Sequence, residues 1–219
     1  MSSEAEATFL FADIAGFTAL TEAHGDEQAV HLVEEFEQAV QAELPRVGGE
    51  CVKTVGDALM LRVPDPADAV RLGLWITRHA MTGHHAPSVR VGGNHGSAVE
   101  RGGDYFGATI NVAARVSALA AGGELLVTGQ TAGLAPDLEG VLYESRGRQV
   151  LKNVAEPLEI FAVVLVDENA DRLPIDPVCR MAVDPERAVG RLLLDEKAHY
   201  FCSLSCVAAF SQHPERYAD

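Results

Sequence analysis

What constrains this chain most is the order in which strand and helix patterns follow one another over residues 1–166. Residues 8–14 alternate, placing Phe9, Phe11 and Asp13 on one face and Leu10, Ala12 and Ile14 on the other: a strand that ends in a carboxylate. Gly16 follows at a turn. Ala29, Val33, Phe36, Val40 and Leu44 then form a helical stripe that Pro45 and Gly48-Gly49 bring to an end. Residues 51–55 and 58–63 flank Gly56-Asp57, which predicts a β-hairpin with Asp57 at its tip. Residues 67–81 read as a helix, 89–99 as two strands around Gly92-Gly93, and 109–121 as a helix opening after Gly107. Closing strands are expected at 124–128 and 158–166. The order β-α-β-β-α-β, with additions, predicts a ferredoxin-like α/β (α+β) core.

Residues 167–172 are polar and aperiodic, so a domain at 1–166, a linker at 167–173 and a C-terminal module at 174–219 are expected. The module is too short for a strong core of its own, and a stabilising metal is expected there. A net charge of −15, spread over both halves, argues against nucleic acid or an anionic membrane surface as a partner, because phosphate is repelled. The N-terminus shows no cationic leader, and no apolar run approaches the roughly 20 residues of a membrane span. A cytoplasmic protein without membrane insertion is therefore expected, with its four cysteines as thiols or metal ligands rather than disulfides.

Three segments carry chemistry: Phe11-Ala-Asp13-Ile-Ala-Gly-Phe-Thr18, Lys53-Thr-Val-Gly-Asp57, and Asp104-Tyr-Phe-Gly-Ala-Thr-Ile-Asn111-Val-Ala-Ala-Arg115. Asp13 at a strand end and Asp57 at a hairpin tip suit a pair of divalent cations, and hard carboxylate oxygens select Mg²⁺ or Mn²⁺. Residues Ile14, Ala15, Gly16, Phe17 and Thr18 lie between strand and helix, where backbone N–H groups can cradle a triphosphate; an ordinary turn is the plainer alternative. Asn111 and Arg115, four apart on a helix, share a face.

Together these segments resemble the catalytic domain of class III adenylate and guanylate cyclases, over about residues 4 to 166. The resemblance implies that Asp13 and Asp57 hold two metals and that Asn111 orients the ribose. It gives Arg115 the task of meeting charge on the α-phosphate, where a fixed cation stabilises the transition state. Lys53 and Asp104 match the positions that read the purine. An ammonium donating to adenine N1 and a carboxylate accepting from the exocyclic amine favour ATP, and the implied product is 3′,5′-cyclic AMP. The site in this family is composite between subunits, and one chain here carries every part, so a symmetric homodimer is implied.

Beyond the linker, Cys179, Cys202 and Cys206 follow the spacing C-x22-C-x3-C. With Asp176-Pro-Val-Cys-Arg-Met181, Tyr200-Phe-Cys202 and Phe210-x-x-His-Pro-x-x-Tyr217 they resemble a YHS/TRASH module. Three thiolates suit Zn²⁺, Cu⁺ or another thiophilic ion. His199, Met181 and Asp176 are candidates for a fourth ligand, and buried thiols in a small core are the alternative. Cys51 reads as a core residue, His24 and His31 as decorations of the first helix, and His84-His85 as part of a loop. Two readings compete with the cyclase: a catalytically silent nucleotide-binding scaffold, and a metal-handling protein that dimerises through a cyclase fold.

Overall fold

The computed structural model describes residues 3–82, 86–166 and 173–217. His84 and His85, and most of the expected linker, lie outside the described residues. The first strand, β1 (Ser3–Ile14), has apolar side chains on both faces, so it can sit only in the middle of a sheet covered on each side. It pairs antiparallel with β3 (Ala58–Val63) and with β4 (Val89–Arg101). The hairpin partner of β3 is β2 (Glu50–Val55), so the core runs β2-β3-β1-β4, the ferredoxin-like arrangement. Beyond β4 the sheet continues through β6 (Leu125–Thr128), β8 (Leu158–Leu165) and β7 (Val141–Gln149), while β5 (Asp104–Phe106) pairs with the far end of β4.

Helices cover both faces. Leu10, Ala12 and Ile14 meet Leu20 of α1 (Phe17–His24), the stripe Ala29, Leu32, Phe36 and Val40 of α2 (Asp26–Glu43), and Val70 and Ile76 of α3 (Pro66–His79) in the main core. On the other face, Ile110 and Ala113 of α4 (Ala108–Leu119) pack over Ala7, Phe9, Met60 and Ala98. The short helix α5 (Gly129–Leu134) follows β6.

Two differences from the sequence expectations have clear causes. Residues 89–99 form part of one long strand rather than two: Gly92 and Gly93 sit where neighbours press on the backbone, not where the chain turns. A Cβ at Gly92 would collide with the backbone of Ser117 in α4, and one at Gly93 would lie 2.6 Å from Leu10. The helical stripe that begins at Ala29 lies in α2 as expected, but a separate short helix, α1, precedes it and is set off by Gly25, whose φ of 87° belongs to the left-handed side.

The C-terminal residues contribute the hairpin β9 (Gly190–Leu194) with β10 (Lys197–Phe201), then α6 (Leu204–Gln212). Val178, Cys179, Met181, Val183, Phe201, Cys202, Cys206 and Phe210 are buried in the same continuous core as Leu20 and Ile14. A β-bridge between Pro87 and Met181 joins the segment to the loop before β4. No helix of the described residues is long and apolar enough to cross a membrane.

Candidate active site and thiol cluster

Asp13 lies at the end of β1 opposite Ala58, which places Asp57, at the β2–β3 turn, beside it. Burial holds the Asp57 carboxyl above its ordinary range, and the negative charge of Asp13 raises it further. The amides of Ile14 and of Asp57 itself oppose that shift. Directly across the β1–β4 ladder stands Arg90, whose Nε and Nη2 donate to the two Asp13 oxygens at 2.9 and 2.8 Å. This planar fork satisfies one carboxylate and raises the guanidinium pKa. Sequence reading did not select Arg90. The one available signal was a charged residue between the apolar Val89 and Val91, but its position opposite Asp13 depends on strand register.

Residues 14–18 turn from β1 into α1. Gly16 adopts φ 72° and caps α1 without any side-chain hydrogen bond. The Ala15 amide is already taken by the Ser88 carbonyl at 2.9 Å. The N–H groups of Phe17 and Thr18 come before the first bond of the helix, which runs from Leu20 to the Gly16 carbonyl. Gly16 and Thr18 are exposed.

Lys53 on β2 and Asp104 at the start of β5 are brought together from 51 residues apart: Nζ donates to the carboxylate oxygens at 2.8 and 2.6 Å. The bond from Lys53, with a second from the Tyr105 amide, holds Asp104 below the usual carboxylate range. Both side chains stay partly open to solvent, and the Phe106 ring lies 5.8 Å from the ammonium. Asn111 is exposed and Arg115 half-buried on the side of α4 away from Ile110 and Ala113. Among the described residues, neither side chain has a hydrogen-bond or ion-pair partner within its own protomer. Cys51 packs at the edge of the main core, and burial raises its pKa.

The three C-terminal cysteines converge as free thiols. Cys179 Sγ is 3.3 Å from Cys202 Sγ, which is 3.8 Å from Cys206 Sγ. Hydrogen bonding among the three sulfurs draws Cys206 below its ordinary pKa and pushes Cys179 above. Asp176, fully buried, accepts the Val178 amide on one oxygen and the Cys202 amide on the other, both at 2.9 Å. It ties the two cysteine loops together through their backbones. His199 packs against Phe210, with ring centroids 4.9 Å apart and the planes tilted by 39°. The residue that approaches the thiols is instead His24, at the end of α1, whose Nε2 is 3.6 Å from Cys202 Sγ. His31 pairs with Glu35 on the surface of α2, as expected for a decoration.

A ferredoxin-like sheet with paired carboxylates at the end of β1 and at the β2–β3 turn defines a nucleotide-cyclase type of catalytic domain. The family pattern of the adenylate and guanylate cyclase catalytic domain matches residues 1–164, and the chain belongs to that family. It is 34% identical over 161 residues to a pH-sensitive adenylate cyclase of Mycobacterium tuberculosis, covering 72% of this chain and 40% of that protein. An adenylate cyclase of Streptomyces coelicolor is 35% identical over 117 residues, covering 53% of this chain and 31% of that protein. The chain thus spans well under half the length of these relatives. Among solved structures, the adenylyl cyclase CyaB from P. aeruginosa superposes with a TM-score of 0.67 at 23% identity, covering 78% of this chain and all of the other. An adenylate/guanylate cyclase/hydrolase from Silicibacter pomeroyi does so at 0.67 and 25%, covering 75% and 99%.

Proposed function

We propose that the protein is an adenylate cyclase that converts ATP to 3′,5′-cyclic AMP and pyrophosphate in a homodimer with composite sites. The observation that carries this reading is the Asp13–Asp57 pair. Two carboxylates near enough for the charge of Asp13 to raise the proton affinity of Asp57, with Arg90 as counter-charge, are a donor set of hard oxygens that fits Mg²⁺ or Mn²⁺. When bound, such ions activate the ribose hydroxyl and stabilise the leaving oxygens. The other tasks fall to side chains and backbone. The N–H groups of Phe17 and Thr18 face the triphosphate. The preformed Lys53–Asp104 pair offers a donor beside an acceptor, the complement of the adenine edge. Guanine presents a carbonyl and a ring N–H there and meets mismatched polarity. Asn111 orients the ribose, and Arg115 meets charge developing on the α-phosphate. That these two lack partners in their own protomer supports their serving a site completed by a second copy. The C-terminal segment, as a YHS/TRASH-like module, holds a thiophilic metal.

Incubation with ATP and Mn²⁺, with the Asp57→Ala variant alongside, tests the reading. Cyclic AMP from the native chain and a loss of roughly 10²–10³-fold or more in the variant are expected, since several kcal/mol of charge stabilisation is removed. No product from a protein shown to be dimeric would leave a silent nucleotide-binding scaffold.

A further inference from the structure

The sequence separates His24 from Cys202 by 178 positions, yet the fold sets them in contact. One nitrogen of His24 and the sulfurs of Cys179, Cys202 and Cys206 all lie within 4.8 Å of one another. For tetrahedral Zn²⁺, bond lengths of about 2.3 Å to sulfur and about 2.0 Å to nitrogen require S···S edges of about 3.8 Å and S···N edges of about 3.5 Å. Three of the edges, at 3.3, 3.8 and 3.6 Å, lie near those values, and the others are no longer than 4.8 Å. The three cysteines are buried and His24 is half-buried, so the four donors form a closed shell rather than a surface coincidence. The carboxylate of Asp176 is committed to backbone amides and acts as the fastening of the cysteine loops.

We propose that His24 completes a Cys3His site for a tetrahedral thiophilic dication such as Zn²⁺, and that its occupation clamps α1 to the C-terminal segment. The clamp has a second jaw on the same helix. Arg180, next to Cys179, lies over the turn that opens α1: a Cβ at Gly16 would be 2.8 Å from Arg180 Cγ. The Arg180 carbonyl accepts from both the amide and the hydroxyl of Ser88, whose own carbonyl accepts from Ala15. The two ends of α1, an eight-residue helix, are thereby held by the C-terminal segment, the Gly16 end by the loop that carries Cys179 and Arg180 and the His24 end by Cys202. Metal occupancy fixes the turn at residues 14–18. Resting on the cyclase reading, it thereby sets the rate by positioning the amides that face the triphosphate.

The full chain, stripped with a chelator, is titrated with Co²⁺ and then with competing Zn²⁺, and amide hydrogen exchange of residues 15–24 is followed with and without Zn²⁺. One Co²⁺ per chain with intense tetrahedral d–d bands and sulfur charge transfer is expected. His24→Ala should shift the d–d bands and weaken binding by more than the roughly 10–100-fold that loss of an outer-shell partner costs. His24→Cys should restore tight binding with stronger charge transfer, and His31→Ala should change nothing. Zn²⁺ should slow exchange at residues 15–24 in the native chain and not in His24→Ala. An unchanged spectrum and affinity in His24→Ala would overturn His24 as a ligand, and exchange indifferent to Zn²⁺ would overturn the clamp. Both readouts are independent of turnover, so they stand apart from failure of the cyclase reading. Equal rates of cyclic AMP formation by preloaded and stripped protein would overturn the control of rate while leaving the clamp.

Discussion

At the scale of single residues, Asp57 is held in an environment that suits a cation and not a bare carboxylate. Burial and then the charge of Asp13 raise its pKa, so the folded chain binds that proton more tightly than the unfolded chain does. The stability this supplies is present below the ordinary carboxylate range and is lost as pH rises through the raised value. At neutral pH, without divalent cation, the charged side chain is therefore a cost. Asp57→Asn should stabilise the metal-free protein at pH 7 by less than about 1 kcal/mol, because the site is partly solvated, and so raise its Tm. The gain should vanish below about pH 4, where both states carry the proton. A fall in Tm at pH 7 would show that the carboxylate is a structural anchor instead. Lys53 and Asp104 differ in kind: their pair is open to solvent, where ion pairs contribute little to stability, which fits the recognition role proposed for it.

At the scale of elements, α4 and β4 set where Asn111 and Arg115 stand. Gly92 lets the α4 backbone at Ser117 approach the strand more closely than any side chain allows. Gly92→Ala should destabilise the protein by about 1–3 kcal/mol, the usual cost of overpacking, and should depress activity through a displaced Arg115. A Tm within experimental scatter of the native value would mean that α4 shifts without consequence. The same glycine shows what the sequence conceals. Alternation made β1 legible down to the face that carries Asp13, and Gly56-Asp57 marked its hairpin unambiguously. Gly92-Gly93, however, reads locally as a break, because nothing nearby in the chain reveals a helix pressing on the strand. Arg90 and His24 were hidden for the same reason. The first acquires its role from the β1–β4 register, and the second from a contact across 178 positions.

At the scale of the whole molecule, two arrangements matter. The C-terminal segment extends the main core and reaches the turn ahead of α1, so the proposed metal site is mechanically adjacent to the proposed nucleotide site. The second arrangement is the division of the site itself. Asp13 and Asp57 stand together at one turn, whereas Asn111 and Arg115 lie on a face of α4 that, among the described residues, offers them no partner within the protomer. In the proposed composite site of a two-fold dimer both groups have work to do. The direct test mixes two inactive chains, Asp57→Asn and Arg115→Ala, after dissociation and reassembly, and measures cyclic AMP formation from ATP. Random pairing makes half the dimers mixed, and each mixed dimer holds one site with every native residue, so about a quarter of native activity should return. A mixture as inactive as its two components, in protein shown to have exchanged subunits, would contradict the composite two-metal site.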